Sequence, residues 1–145
     1  MSAPIQRDFL NNPAAQVRIL CGLLYVPHIL FKLNGLDGAA AFFAKAGLQP
    51  AMPFVILAIV AETLCAVGLT FGVLTKWAGL LSAGVLAVAV NAVFATKGVV
   101  WLWNFGGVEY NVVWATLSLI VALQAWRDER NSYGRNFLLL PPRAA

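Results

Sequence analysis

The sequence predicts an all-α integral membrane protein, a four-helix bundle, on three observations. First, 61% of its 145 residues are hydrophobic and only 11% are charged, whereas soluble domains average about 45–50% apolar and about 25% charged residues. Second, a chain this short has too much surface for its volume to bury such an apolar excess in one soluble core. Third, the apolar residues lie in four runs of about the length that a helix needs to cross a hydrocarbon core about 30 Å thick.

The four runs cover residues 17–36, 53–74, 77–96 and 107–126. Each is expected to be a helix, because lipid cannot satisfy the hydrogen-bonding groups of an open backbone. Alternation with period two, the mark of a membrane barrel, is absent from them. Residues 1–16 are polar and lack the apolar core of a signal peptide, so we expect the first run to remain as a membrane anchor.

The connecting segments differ in character. Residues 37–52 are mildly amphipathic, which predicts a short interfacial helix between the first two membrane helices. Only Thr75 and Lys76 separate the second run from the third, which predicts a tight antiparallel hairpin. The predicted domains are therefore a polar segment (1–16), a four-helix membrane domain (17–126) and a charged, Pro-containing tail (127–145).

The basic residues predict an orientation. With four helices, both termini lie on the same side as the Thr75–Lys76 turn, and that side carries Arg7, Arg18, Lys76, Arg127, Arg130, Arg135 and Arg143. The other side carries Lys32, Lys45 and Lys97. Because cytoplasmic segments hold the excess of Lys and Arg, both termini are predicted to be cytoplasmic. The net charge of +4 is modest, and the basic residues lie beside the apolar runs. The expected partner is therefore a lipid bilayer and not a nucleic acid.

Six polar residues are predicted to share the outer half of the membrane. His28 and Lys32 lie four apart and so on one face of a helix. We expect one cluster between the helices, in which Lys32 pairs with Glu62 or Glu109. Ionisable groups in lipid are usually paired and functional, but a buried pair that only fixes helix register stays open as an alternative. The candidate binding cluster is His28, Lys32, Glu62, Asn91, Glu109 and Asn111.

Other reactive residues carry weaker signals. Arg18 begins the first membrane helix and is expected to contact lipid phosphate. Cys21 and Cys65 form no CxxC pair and are interpreted as small apolar residues. His28 is the only histidine, and no second ligand lies at metal spacing, so no metal site is predicted.

Several short motifs, in this order along the chain, resemble the DoxX family. They are Arg18, the VPHILFKL stretch ending at Leu33, FFxxxGL ending at Leu48, Glu62, GLxxGxLTK ending at Lys76, Trp103, and GVEYN ending at Asn111. The resemblance spans about residues 15–126. Ile29 departs from it, because family members often have glycine just after the position of His28.

The resemblance implies a four-helix protein of the bacterial inner membrane, similar to the small subunit of thiosulfate:quinone oxidoreductase. Other members are linked to membrane oxidoreductase complexes that handle sulfur compounds or oxidative stress. It carries over the positions of Arg18, Lys32, Glu62 and Glu109, without establishing catalysis.

Two functions are therefore expected as alternatives. One is a redox-associated membrane subunit that binds quinone or quinol in the polar cluster, without a covalently bound cofactor. His28, Lys32 or Asn91 would donate hydrogen bonds, and Glu62 would take up protons. The other is a non-catalytic assembly subunit that docks on a larger membrane complex through Gly68-x-x-x-Gly72 and the charged tail. Other membrane subunits or further copies of the chain are the expected protein partners, and small-molecule transport ranks last.

Overall fold

The computed structural model describes residues 12–139, which form α-helices and one short 3-10 helix, without a strand. The predicted all-α class is confirmed. Most of the polar segment 1–16 lies outside the described residues, as do Arg7 and Arg143. The helices are α1 (Pro13–Leu23), α2 (Tyr25–Asn34), α3 (Leu36–Lys45), α4 (Ala51–Phe71), α5 (Thr75–Lys97) and α6 (Glu109–Tyr133), and the 3-10 helix is Trp103–Phe105.

Three helical segments of the described chain are long and apolar enough to cross a membrane. They are Pro13–Asn34, which joins α1 and α2, Ala51–Phe71 and Thr75–Lys97, with 22, 21 and 23 residues. The fourth predicted span falls in α6, which has 25 residues but is not among the three. The polar side chains of Glu109, Asn111 and Gln124 lower its hydropathy.

The first membrane segment breaks at Leu24, between α1 and α2. Pro27 explains the break, because its nitrogen carries no hydrogen and the carbonyl of Leu23, four residues earlier, loses its helical partner. Leu24 keeps helical dihedral angles (φ −60°, ψ −22°), so the helical path continues through the interruption. The two halves have different neighbours: α1 packs against α4 and α6, whereas α2 packs against α4 and α3.

A short helix does connect the first two membrane segments. It is α3, which begins after Gly35 and packs against α4 and α5. Gly47 follows it with a φ of +82°, a left-handed conformation that glycine adopts without strain. The predicted helix is thus present in this segment, and its placement at a membrane interface stays a prediction.

Glycines allow two of the helix contacts to be close. A Cβ atom on Gly68 would lie 2.7 Å from the Cβ of Ala78, across the α4–α5 hairpin. A Cβ on Gly79 would lie 2.7 Å from the carbonyl oxygen of Ser118, across the α5–α6 contact. Small residues that let helix backbones approach are typical of membrane helix packing. Gly68 therefore belongs to a helix contact within the chain.

We call the end of the helices that holds the α4–α5 turn the turn end. The C-terminal part of α6 lies there too, because Lys76 Nζ is 2.6 Å from Glu129 Oε2. Lys76 also donates to the carbonyl of Phe137, and Trp77 Nε1 donates to the carbonyl of Leu138 at 2.6 Å. The opposite end, with α3 and the α5–α6 loop, is the loop end.

The helix α6 continues past Trp126 into the predicted tail. Gln124 donates to Asp128 one turn later at 2.8 Å, and such pairs support a helix. The ion pair of Glu129 with Lys76 holds this extension against α5. Gly134, with a φ of +70°, ends the helix, so only the remainder of the tail is non-helical among the described residues.

Candidate functional site

A cavity of about 1430 Å³ lies between α2, α3, α4, α5 and α6. Some lining side chains are buried, such as Tyr25 and Trp114, and others are exposed, such as Phe31 and Val88. The cavity therefore opens at the surface of the helices. It is larger than the ~300–1,000 Å³ typical of small-molecule sites. Its lining is mostly apolar, and its side chains with charged, amide or imidazole groups are His28, Lys32, Asn34, Glu62 and Asn111.

An ion pair lies among these apolar lining residues. Lys32 Nζ on α2 lies 2.8 Å and 2.9 Å from the two carboxylate oxygens of Glu62 on α4. The two side chains are only 14% and 9% exposed. Glu62 sits near the middle of α4, about 16 Å along the axis from Ala51. Of the two carboxylates predicted as partners of Lys32, the structure selects Glu62.

His28 and Asn111 also line the cavity. His28 lies one helical turn before Lys32, and its ring centroid is 5.6 Å from that of Trp114 on α6. Its backbone carbonyl lies 3.5 Å from Lys32 Nζ. Asn111 reaches the cavity from the first turn of α6. Four of the six predicted cluster residues therefore share one cavity.

Asn91 and Glu109 do not line the cavity, so the predicted single cluster of six is smaller in the structure. The Nδ2 atom of Asn91 donates to the carbonyl of Ala87 on its own helix at 3.0 Å, and both residues are on an exposed face of α5. Glu109 Oε2 accepts a hydrogen bond from the backbone N–H of Trp103 at 3.3 Å. Its carboxylate thus orders the loop before α6.

Arg18 caps the end of α4. Its Nη1 atom donates to the carbonyl of Leu69 and, at 3.2 Å, to that of Thr70. These carbonyls belong to the last turn of the helix, where backbone acceptors lack helical partners. A Cβ on Gly72 would lie 2.9 Å from Nη1, so glycine there leaves room for the guanidinium. The predicted contact of Arg18 with lipid phosphate stays a prediction.

Sequence reasoning missed a buried hydroxyl network next to the ion pair. The Tyr25 hydroxyl lies 2.8 Å from Ser82 Oγ, which in turn lies 2.8 Å from Ser118 Oγ. Both serines are fully buried. The network links α2, α5 and α6, and the ring of Tyr25 packs 4.4 Å from that of Trp114.

One signal pointed to Tyr25. It precedes His28 by three residues and Lys32 by seven, and such spacing places all three on one helix face. The predicted cluster contains only ionisable and amide groups, and no hydroxyl. Hydroxyl pairs across helices leave no pattern within either helix.

The cysteines are both free and buried. Within residues 12–139, no group of three or more His, Cys, Asp or Glu side chains is placed to hold a metal ion.

Comparisons with known proteins give one family and one relative. A family model described as DoxX matches residues 14–96, a segment that contains both Lys32 and Glu62. A Bacillus subtilis (strain 168) protein described as "Putative oxidoreductase CatD" is 35% identical over 77 residues, which are 53% of this chain and 56% of that protein. The chain therefore spans little more than half the length of this relative. No solved structure matches this chain.

Proposed function

This chain belongs to the DoxX family, and from that membership and the geometry of its cavity we propose that it is a redox-associated membrane subunit that binds quinone or quinol at the Lys32–Glu62 pair. The single observation that carries the proposal is this ion pair, set in a large apolar cavity that opens at the surface of membrane helices. The description of its Bacillus subtilis relative, "Putative oxidoreductase CatD", supports the redox part of this proposal.

The charge of the site favours a neutral ligand. Lys32 and Glu62 neutralise each other, and removing either charge from a buried pair is strongly unfavourable. An anionic or cationic ligand would compete with one partner for the other. A quinone is neutral and offers carbonyl oxygens, one of which can accept a hydrogen bond from the third N–H of the Lys32 ammonium in place of its long, 3.5 Å contact with the carbonyl of His28.

The surrounding groups fit the chemistry of the ring. His28 and Asn111 can donate to the second carbonyl of a bound quinone, and Glu62 can accept a proton from a bound quinol. Conversion of quinone to quinol takes up two electrons and two protons. We propose that the electrons come from a partner subunit or from a bound thiol substrate, and that this chain's residues bind the ring and handle its protons.

Quinone binding is tested with Glu62→Gln. We expect this change to weaken the affinity of the purified protein for menaquinone-4 by about ten- to a hundredfold. Lys32, the proposed donor to the ring, loses the carboxylate that holds it in place, and a hydrogen bond to a charged group contributes about 1.5–3 kcal/mol. The affinity is measured by isothermal titration calorimetry in detergent.

The matched control is Glu129→Gln. Glu129 also sits in a buried ion pair, with Lys76 at 2.6 Å, but outside the large cavity. It should leave the affinity within twofold. Equal losses in both variants, or no loss in Glu62→Gln, would contradict the proposal.

We also propose that α6 crosses the membrane as a fourth span in a four-helix bundle, with both termini in the cytoplasm of a bacterial inner membrane. Its length of 25 residues supports this, as does the position of its C-terminal end beside the α4–α5 turn. The exposed basic residues Arg127, Arg130 and Arg135 lie at that end, the side that the positive-inside rule assigns to the cytoplasm.

The orientation has a direct test. A fluorescent protein fused after residue 145 should fluoresce, because the fold of such a reporter matures in the cytoplasm. The same reporter inserted between Gly98 and Val99, in the α5–α6 loop, should not. Fluorescence of the second fusion but not the first would reverse the orientation.

An assembly subunit remains the second candidate function, but the structure removes one of its supports. Gly68 is part of the motif expected to dock on a partner, but it already packs against Ala78 of α5 within the chain. Extraction in mild detergent followed by mass analysis separates the two functions. A stoichiometric larger complex without quinone would favour assembly.

A further inference from the structure

An exposed stripe of residues runs along α5. Its members follow one another at alternating intervals of four and three residues, the repeat of helices that pack against each other along their length. The stripe covers about 27 Å of the helix, most of a hydrocarbon core about 30 Å thick. We call these exposed residues the α5 stripe: Trp77, Leu81, Gly84, Val88, Asn91 and Ala95.

Asn91 carries the amide of this stripe. It lies about 9 Å along the helix from Lys97, inside the apolar span Thr75–Lys97, and its side chain is too short to reach the membrane surface as that of a lysine can. One N–H of the amide donates to the carbonyl of Ala87 at 3.0 Å. The second N–H and the amide oxygen have no partner among residues 12–139. Lipid offers polar groups no hydrogen bonds, so this amide needs a partner from outside the chain.

Three other exposed polar side chains show the contrast. The hydroxyls of Thr63 and Thr116 each have one hydrogen, and each donates it to a carbonyl of its own helix, at 2.7 Å and 2.8 Å. Gln124 donates to Asp128 and lies close to the charged residues at the turn end of α6. Asn91 differs from all three, because it lies within an apolar span and keeps both a free donor and a free acceptor.

Gly84 leaves room for a second helix beside the stripe. A Cβ atom on Gly84 would meet nothing within 4 Å, so no contact within the described chain requires a glycine here. It lies seven residues before Asn91 and therefore on the same face of α5. Small residues at such positions let the backbones of membrane helices approach each other closely.

A second copy of this chain matches the stripe. Copies of one membrane protein share one orientation, so a twofold axis along the membrane normal places a residue beside its own counterpart at equal depth. An amide both donates and accepts hydrogen bonds, and Asn91 is therefore complementary to itself. An apolar partner helix would leave the free N–H and the free oxygen without hydrogen bonds.

We propose that two copies of this chain pack α5 against α5 along the α5 stripe, with the two Asn91 side chains hydrogen-bonded to each other. Each amide donates its free N–H to the oxygen of the other, so both unused groups are satisfied at once. Leu81, Gly84 and Val88 also line the large cavity, so the second copy would border its opening. The inference goes beyond the proposed function and does not depend on quinone binding.

The strength of the pair is measured in phosphatidylcholine vesicles. Full-length copies carry donor or acceptor fluorescent proteins after residue 145, and energy transfer is followed as lipid is added at constant protein. Asn91→Leu should weaken the association about tenfold, because two reciprocal hydrogen bonds are lost together. The side chain is exposed, so the fold of each copy keeps its contacts. Asn91→Gln retains the amide and should weaken the association less than Asn91→Leu.

The matched control is Gln124→Leu, which removes an exposed amide from another helix. It should leave the association within about twofold of the wild-type value, because its hydrogen bond to Asp128 lies within one helix. Wild-type protein without energy transfer beyond that of chance encounters would overturn the pair. Equal losses in Asn91→Leu and Gln124→Leu would overturn the contact at Asn91.

Cysteine cross-linking locates the interface. Val88→Cys lies on the stripe and Val113→Cys on α6, and the two valines are 52% and 51% exposed. The native Cys21 and Cys65 are buried. Oxidation of membranes with copper phenanthroline should link Val88→Cys into a disulfide-bonded dimer of this chain and leave Val113→Cys monomeric. A dimer through Val113→Cys alone would move the interface to α6, and a link from Val88→Cys to a different protein would assign the stripe to another subunit. Either result overturns the proposal.

Discussion

Replacing Lys32 by methionine is expected to lower the free energy of unfolding by about 3–5 kcal/mol, because it leaves the carboxylate of Glu62 buried without a counter-charge. The carboxylate is held by two short contacts to Lys32 Nζ, at 2.8 Å and 2.9 Å. No other hydrogen-bond donor to it is seen among the described residues. The measurement is an SDS titration of the detergent-solubilised protein, followed by far-UV circular dichroism.

Two variants complete this test. The double substitution Lys32→Met and Glu62→Met removes both charges, and buried pairs exchanged for apolar residues are often neutral in stability. It should recover most of the loss while it still fails to bind quinone. Lys45→Met, at an exposed lysine of α3, should stay within about 0.5 kcal/mol. If the double variant is as unstable as Lys32→Met, charge burial is not the cause.

Replacing Gly79 by valine is the second large effect, an expected loss of about 3 kcal/mol. A Cβ at this position would lie 2.7 Å from the carbonyl oxygen of Ser118 and 2.9 Å from the Cβ of Ala122. One of these atoms is backbone, so α5 and α6 have to move apart. Overpacking of this kind typically costs about 1–3 kcal/mol, and the separation also stretches the Ser82–Ser118 hydrogen bond.

The control for Gly79→Val is the same change at Gly84. A Cβ on Gly84 meets nothing within 4 Å, although the residue lies on the same helix and gains the same β-branched side chain. Gly84→Val should therefore leave the unfolding midpoint in the same SDS titration nearly unchanged. Equal midpoints in the two variants would show that the α5–α6 approach at Gly79 contributes little to stability.

The helices were predictable because hydropathy is a local property of the chain. The three apolar spans begin and end within a few residues of the predicted runs. The break at Leu24 was missed although Pro27 stood in the sequence. A proline in an apolar run shows only that one helical hydrogen bond is lost. The structure adds the interruption at Leu24 and the different neighbours of the two halves.

The site was predictable in part. Lys32 and Glu62 were found because an ionisable residue in lipid needs a partner, and both lie at similar depth. Asn91 was misplaced because depth along a helix does not specify its face, and its side chain turned out to bond its own backbone. Glu109 has a loop N–H as its partner, from Trp103. Loop geometry of this kind depends on tertiary structure.

The mutual neutralisation of Lys32 and Glu62 has an electrical consequence. In the proposed orientation, Glu62 lies near the middle of the membrane, so a neutral quinone that arrives from the lipid moves no charge through the transmembrane voltage. A proton that reaches Glu62 from either face crosses about half of the membrane. Since a full crossing is worth ~2.3 kcal/mol per 100 mV, moving that proton works with or against the voltage by about 1 kcal/mol per 100 mV. Energised and de-energised membranes would then hold different proportions of quinone and quinol at the same site.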